Sequence, residues 1–407
     1  MKDPGESVAC LPKIDGHHAL FGALAELRER AAVLPVDLAE GPTVWMVTRY
    51  AEAKQALAHP DLVKDYRSVA DRAGGFGRER YRDDVWALLG RHAVNSDGAD
   101  HRRFRKVYAP FLSATKVGRW RPQIESIADA MLERLSRAES PDVLRDFAEP
   151  LTATVACRVL GIDDELADLM SDYAKRVVGG GDPAEVSSAA AEWAQLLAEL
   201  VLAKRRAGDE LLLSAMLERH RAGEWQLSEV VANLQATLIA GLTTSSTLIA
   251  AAVALIGADD GPRAEELGDP ATVSRLIEET LRFRPPVVDS TWRFARHDVL
   301  LGDAVIPAGS IVLVSIAAAD HDPDAFDDPG AWCPNRSARP AGHLSFGYGE
   351  HFCVGAALAR LEATVALPAL YQRFPDLRTR QEFHELRWTS AIVEQRPLAV
   401  PVSLGPS

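Results

Sequence analysis

The stretch His343-Leu344-Ser345-Phe346-Gly347-Tyr348-Gly349-Glu350-His351-Phe352-Cys353-Val354-Gly355 decides how the rest of the chain is read. Gly347 and Gly349 permit a tight turn whose backbone N–H groups can point at one atom. Cys353 stands just ahead of a helical pattern over residues 354–374, and the positive end of that helix favours a thiolate over a thiol. Gly355 lets a flat, bulky group lie close to the backbone, and Phe346 can pack against it. A thiolate held this way suits a single strong axial bond to a metal. Other readings carry less. A lone cysteine is most often a small buried hydrophobe. Zinc needs more ligands than His343 and His351 supply. A nucleophile is poorly served by a histidine two residues away with no orienting acid nearby.

Outward from that stretch, the 407-residue chain is 47% hydrophobic and 25% charged, the balance of a soluble globular protein. Its four cysteines, Cys10, Cys157, Cys333 and Cys353, form no CxxC pair. That excludes a disulfide scaffold or a Cys-rich zinc module and fits a reducing cytoplasm. The net charge of −13 argues against general nucleic-acid binding, though a local basic patch can still serve one partner. Residues 1–13 are polar and lack the apolar core of a signal peptide. The longest apolar stretch, residues 236–256, is broken by Gly241 and Thr243-Thr244-Ser245-Ser246-Thr247. It reads as a buried helix, not a membrane span.

Residues 1–16 read as a flexible arm and 17–407 as one domain, since no linker or composition step divides them. Helical spacing runs over residues 19–34 and 50–58, with a short strand at 44–47 and a loop or frayed helix at 67–82. Helices dominate residues 97–221, punctuated at Pro110, Ser140-Pro141, Gly161, Gly179-Gly180-Gly181 and Gly208. A long helix spans 228–255 with Ser228 as its N-cap. Another spans 270–283, closed by Pro285 and Pro286. A hairpin turns at Gly302-Asp303, a strand follows at 311–314, and residues 398–404 alternate like a strand. The fold class is mainly α with a small β region.

Phe346-Gly347-x-Gly349-x-His351-x-Cys353-x-Gly355 resembles the haem-binding signature of the cytochrome P450 family. The resemblance implies a single-domain fold with haem b between the long central helix and the Cys-loop helix. It makes Cys353 the axial thiolate and metal ligand, and sends His351 to a haem propionate. Four further pieces resemble the family in its order. Glu279-Thr280-Leu281-Arg282 looks like its ExxR, a pair sharing one helix face; with Arg336 its role is structural. Thr291-Trp292-Arg293 looks like the strand that sends an arginine to a propionate. His101-Arg102-Arg103-Phe104-Arg105 looks like its HxxxR, with His101 and Arg105 reaching propionates. Arg102, Arg103 and Lys106 then form a basic face for an acidic electron donor. Ala240-Gly241-Leu242-Thr243-Thr244 looks like the oxygen-binding segment. There Ala240 and Gly241 leave room and Thr244 presents its hydroxyl, unless it back-bonds to its own helix. Two departures stand out. Thr243 occupies the place of the usual acid, which puts the standard proton route in doubt. Asn233, Thr237 and Thr244 form a polar stripe that can hold waters instead. Asp320-His321-Asp322-Pro323 lacks the asparagine that the family often carries.

By the same resemblance the substrate pocket draws on Trp86, Leu88, Val94, Asn233, Thr237, Ala240, Val287, Val288, Asp289 and Ile392. Asp289 reads either as a substrate anchor or as a carboxylate paired with a nearby arginine or strand end. Pairing is favoured, because buried carboxylates are usually paired. The implied activity is that of a soluble bacterial-type monooxygenase. It takes dioxygen and two electrons from an external ferredoxin and ferredoxin reductase to oxidise a small or medium organic substrate. Secondary metabolism, such as antibiotic tailoring, is the implied setting, in the cytoplasm, without membrane or nucleic acid. Thr243 leaves open aryl or C–C coupling and dehydrogenation. No arginine beside Thr243 and Thr244 resembles that of peroxide-using relatives, which disfavours peroxide. A non-enzymatic haem or ligand-binding protein is the remaining alternative.

Overall fold

The computed structural model describes residues 8–39, 41–69, 89–178, 182–204, 209, 211–257, 264–336 and 342–405. Trp86, Leu88, the 179–181 glycines, Gly208 and most of the 67–82 loop lie outside them.

The helices are α1 (His17–Arg30), α2 (Tyr50–Ala58), α3 (Gly98–Leu112), α4 (Arg121–Ser136), α5 (Glu149–Leu160), α6 (Ala167–Val178), α7 (Pro183–Ala203), α8 (Leu212–Arg221), α9 (Leu227–Ile256), α10 (Pro270–Phe283) and α11 (Ala356–Arg373), with shorter turns between. Helix α9 is apolar almost all round, so it must be covered on every side. It packs against α5, α6, α7, α10 and α11 and is the spine of the largest core. It is also long and apolar enough to cross a membrane, and it is mostly buried within the protein.

Helix α9 starts one residue before the expected Ser228. Its N-cap is Gln226, whose backbone N–H donates to Glu229 Oε2 at 2.9 Å in a reciprocal capping box. Pro110 does not break its helix. It sits in the last turn of α3, where the carbonyl it leaves unpaired belongs to exposed Lys106. Gly161 does end α5, in the left-handed conformation at φ 79°.

Six strands form one sheet in the order β1-β2-β3-β8-β5-β4. They are β1 (Ala9–Leu11), β2 (Val33–Leu38), β3 (Thr43–Val47), β4 (Leu62–Val63), β5 (Arg293–Ala295) and β8 (Ile311–Val314), while β6 (Val299–Leu301) and β7 (Ala304–Ile306) make the expected hairpin. The described part of the N-terminal arm is thus not loose, because β1 runs parallel to β2 with Ala9 opposite Val36. The helix expected over residues 19–34 stops at Arg30 and gives way to β2, which carries Pro35. The parallel pairing of β3 with β8, Trp45 opposite Val312, ties the N-terminal segment to the C-terminal half. Arg293 therefore emerges from a sheet that both ends of the chain build. Residues 398–404 give only a two-residue strand, β10 (Val402–Ser403), paired with β9 (Arg378–Thr379).

Candidate functional site

Local backbone geometry shapes the Cys353 loop. Gly347 and Gly349 have φ of 73° and 78°, in the left-handed region that costs glycine least. The Cys353 N–H donates to the Phe346 carbonyl at 2.8 Å, closing the turn. Asp320 pins the loop from behind: it accepts from the Leu344 N–H at 2.7 Å and from Ser345 Oγ at 3.1 Å. Burial pushes the Asp320 carboxyl up to about 6.

Behind the loop, Glu279 and Arg282 share one face of α10 and meet at 2.8 Å, almost fully buried. Arg336 reaches Glu279 at 3.1 Å, and the Cys333 N–H adds a bond at 2.9 Å. Arg282 also donates to the carbonyls of Asp320, Pro329 and Ala331. Burial would raise the Glu279 carboxyl, but Arg282 and Arg336 outweigh it and hold it below the usual range. Glu278 is paired with Arg360 at 2.6 Å and His343 at 3.1 Å, which ties α10 to α11.

One cavity of about 310 Å³ opens onto Cys353. The sulfur is deep in the molecule yet its residue is exposed, because it faces this cavity. Burial pushes the Cys353 thiol up, opposed by the N–H groups of Gly355 and Ala356 and the guanidinium groups of Arg105 and Arg360. A metal bond would remove that proton outright. His101, Arg105, Arg293 and His351 line the same cavity. Arg293 Nη1 donates to the Leu62 carbonyl at 3.0 Å, while its buried Nε has no partner. His101 Nδ1 and His351 Nε2 are likewise buried without a hydrogen bond, 3.3 Å from Glu350 and 3.7 Å from Asp97. Burial depresses both imidazoles, His351 to about 3, so they are neutral. Orphaned donors at one end of an apolar cavity, with a thiol on one wall, fit a flat macrocycle bearing carboxylates. Gly355 keeps that wall low: a Cβ there would lie 3.8 Å from Cys353 Sγ. Phe346 lines the cavity as well.

Opposite the sulfur, α9 contributes Thr237, Ala240, Gly241, Thr244 and Ser245. Thr244 Oγ1 donates to the Ala240 carbonyl at 2.6 Å, and Thr243 Oγ1 to that of Ile239 at 3.1 Å. Val94 and Val287 also line the cavity. Four expected lining residues do not. Asn233 is fully buried and committed, accepting from Tyr108 Oη at 3.0 Å and the Ala93 N–H at 3.1 Å. It holds α9 to α3, so the polar stripe is not a free row of water sites, and Tyr108 lines the cavity in its place. Val288, Asp289 and Ile392 line a separate cavity of about 30 Å³ beside Leu11 and Leu38. Val287, Val393 and Glu394 line the large cavity, whereas Val288 and Ile392 line the small one. Among the described residues, Asp289 has no arginine partner. It is bridged to Ser315 through the backbone, keeps Oδ1 unpaired, and is pushed up to about 7 by burial.

Sequence reasoning missed Lys64, Tyr108, Glu362 and Glu394, which all line the large cavity. Lys64 Nζ donates to the Thr291 carbonyl at 2.7 Å, beside Arg293. The two acids carry a signal that could have found them: each is a lone carboxyl in an apolar run, Leu361-Glu362-Ala363 and Ile392-Val393-Glu394. On the expected basic face, Arg102 and Lys106 are exposed. Arg103 is not available, being paired with Asp100 at 2.7 Å and with Glu229.

A family model described as Cytochrome P450 matches residues 253–389. Cytochrome P450 107B1 from Saccharopolyspora erythraea is 35% identical over 94% of this chain and 94% of its own. The 6-deoxyerythronolide B hydroxylase of the same organism is 32% identical over 95% of this chain and 96% of its own. The solved structure of CYP154C4 from Streptomyces sp. W2061 superposes with a TM-score of 0.88 at 32% identity, covering 98% of both chains. Sequence, fold and the Cys353 loop agree, and the chain belongs to the cytochrome P450 family.

Proposed function

We propose that this P450 monooxygenase binds haem b through Cys353, takes electrons from an external ferredoxin and its reductase, and oxidises a small or medium organic molecule. One observation carries the reading. A single cavity holds the Cys353 sulfur, the orphaned donors of His101, Arg293 and His351, and the Thr244 segment. When bound, haem supplies the activation of dioxygen. The chain's own residues do the rest. Cys353 binds the iron. His101, Arg105, Arg293 and His351 hold the propionates. Ala240 and Gly241 leave space beside α9, and Thr244 holds a proton at Oγ1. Glu279, Arg282 and Arg336 keep the loop in place.

The apolar walls support an apolar substrate with few polar anchors. The hydroxylase among the relatives supports a tailoring step in secondary metabolism, such as antibiotic biosynthesis. Exposed Arg102 and Lys106 offer an acidic ferredoxin a docking face, and a cytoplasmic setting suits such a partner. The reduced carbon monoxide complex tests the ligand: it should absorb at the long wavelength of thiolate-bound haem, and Cys353→His should abolish that band. Survival of the band in Cys353→His overturns the assignment. A spectral-shift screen against a metabolite library then identifies the substrate.

A further inference from the structure

Helix α9 lacks the acid that the family usually places ahead of the oxygen-site threonine, and Thr243 stands there instead. The fold brings a carboxyl to that point from elsewhere. Glu394 belongs to the C-terminal turn, which is held firmly. Val287 and Glu394 form an antiparallel bridge, the Val288 N–H donates to the Val393 carbonyl at 2.9 Å, and the Gln395 N–H donates to the Pro286 carbonyl at 3.0 Å. Gln395 Oε1 accepts from Arg284 Nη2 at 2.8 Å. Held this way, Glu394 is 8% exposed, lines the large cavity and lies near enough to Thr243 for that hydroxyl to favour its carboxylate. Its Oε1 is buried without a partner.

A polar chain leads from Glu394 toward solvent. Arg396 attracts the Glu394 carboxylate, and Arg396 Nη1 lies 3.5 Å from Glu149 Oε1. Glu149 Oε2 is 3.1 Å from Lys175 Nζ, whose side chain is 31% exposed. Arg284 stands beyond Gln395, and Glu362 lines the same cavity as Ser245.

We infer that Glu394 is the proton-donating carboxyl of the oxygen site, replacing the missing acid through Thr243 and recharged from solvent past Arg396, Glu149 and Lys175. The inference rests on the function proposed above. Each turnover joins one oxygen atom to the substrate and releases the other as water, consuming dioxygen, two ferredoxin electrons and two protons. Glu394 passes a proton to Thr243 Oγ1, whose own hydroxyl proton leaves the Ile239 carbonyl and moves on to the oxygen, and the Glu394 carboxylate regains a proton from solvent. A threonine alone relays but cannot supply. Burial pushes Glu394 up to about 7, against the pull of Thr243 and Arg396, so both its forms are populated at neutral pH.

The test uses the holoprotein. Infrared spectra of the wild type should show a protonated carboxyl band lost near pH 7. Asp289 is also pushed up to about 7, so the Glu394 share is the difference between wild type and Glu394→Gln, and Arg396→Gln should move that share to higher pH, because a cation that favoured the carboxylate is gone. NADH oxidation without substrate, through a surrogate ferredoxin and reductase, should fall roughly 10-fold or more in Glu394→Gln. The ratio of rates in H₂O and D₂O should rise. Glu394→Asp should recover part of the rate, and adding Thr243→Asp to Glu394→Gln should recover it by returning the acid to α9. A thiolate-type carbon monoxide spectrum in the wild type keeps the proposed function standing. With that intact, an unchanged rate and isotope ratio in Glu394→Gln overturn the inference alone, as does an unchanged carboxyl band. Loss of ligand-induced spectral shifts at an unchanged rate makes Glu394 a substrate anchor and also overturns it.

Discussion

Thr244 and Arg293 show how much a single side chain can decide here. Thr244 donates its hydroxyl to the Ala240 carbonyl, so its oxygen is turned to accept from the cavity side. Replacing it removes a hydroxyl that faces the cavity. Thr244→Ala should therefore raise the hydrogen peroxide released per NADH several-fold, with haem content unchanged. Equal peroxide yields in the two proteins would remove Thr244 from the proton path. Arg293 carries a buried guanidinium with one orphaned nitrogen, and burial lowers it to about 10. An unpaired buried donor costs about 1–3 kcal/mol, which a bound carboxylate would recover. Arg293→Met should weaken haem retention at least 10-fold, measured by haem transfer to an apo-globin acceptor, while the thiolate band of the retained fraction survives.

At the scale of elements, α10 and α3 make opposite uses of charge. On α10 the Glu279–Arg282 pair is buried and satisfied on nearly every polar atom. Breaking one member of a buried pair costs about 3–5 kcal/mol, because the partner stays charged. Arg282→Met should lower the unfolding midpoint sharply and reduce haem incorporation, whereas the double change Glu279→Met/Arg282→Met should cost less than the sum of the single changes. Additivity would show that the pair does not act as a unit. On α3 Arg102 and Lys106 face water. Reversing Arg102 and Lys106 to glutamate should slow electron delivery and weaken its salt dependence, without changing ligand-induced spectral shifts. The same reversal at Arg103 should cost stability as well, since Asp100 and Glu229 would lose their partner.

Across the whole molecule, buried carboxyls set the pH response. Arg360 and His343 outweigh burial at Glu278 and hold it down to about 2, so it stabilises the fold above its unfolded pKa of 4.5 and that contribution is lost as pH falls toward 2. Glu362 does the reverse. Burial raises it to about 8, so it costs nothing below pH 4.5 and its cost grows as pH rises through 8. Each pKa unit is worth about 1.4 kcal/mol, so Glu362→Gln should stabilise the protein by on the order of a few kcal/mol at pH 9 and by almost nothing at pH 4. Guanidinium unfolding midpoints at the two pH values check this, and a shift of equal size at both would reassign the effect to packing. The division between what was legible in the sequence and what was not follows the range of the forces involved. The Cys353 loop, the Glu279–Arg282 spacing, the boundaries of α2 and α10 and the β6–β7 hairpin were legible, because glycine φ, proline rings and helical periodicity act within a few residues. The cavity lining was not. The bridge between the 287 and 394 segments put Val287, Val393 and Glu394 on the cavity and left Val288 and Ile392 behind it, a choice that neither segment makes alone. Asn233 turned inward because Tyr108 of another helix met it. By itself the sequence determined the family, the Cys353 loop and the missing acid at Thr243; only the tertiary structure decided that Glu394, 151 positions further along the sequence, would line the same cavity as Thr244, because packing alone joins residues so far apart.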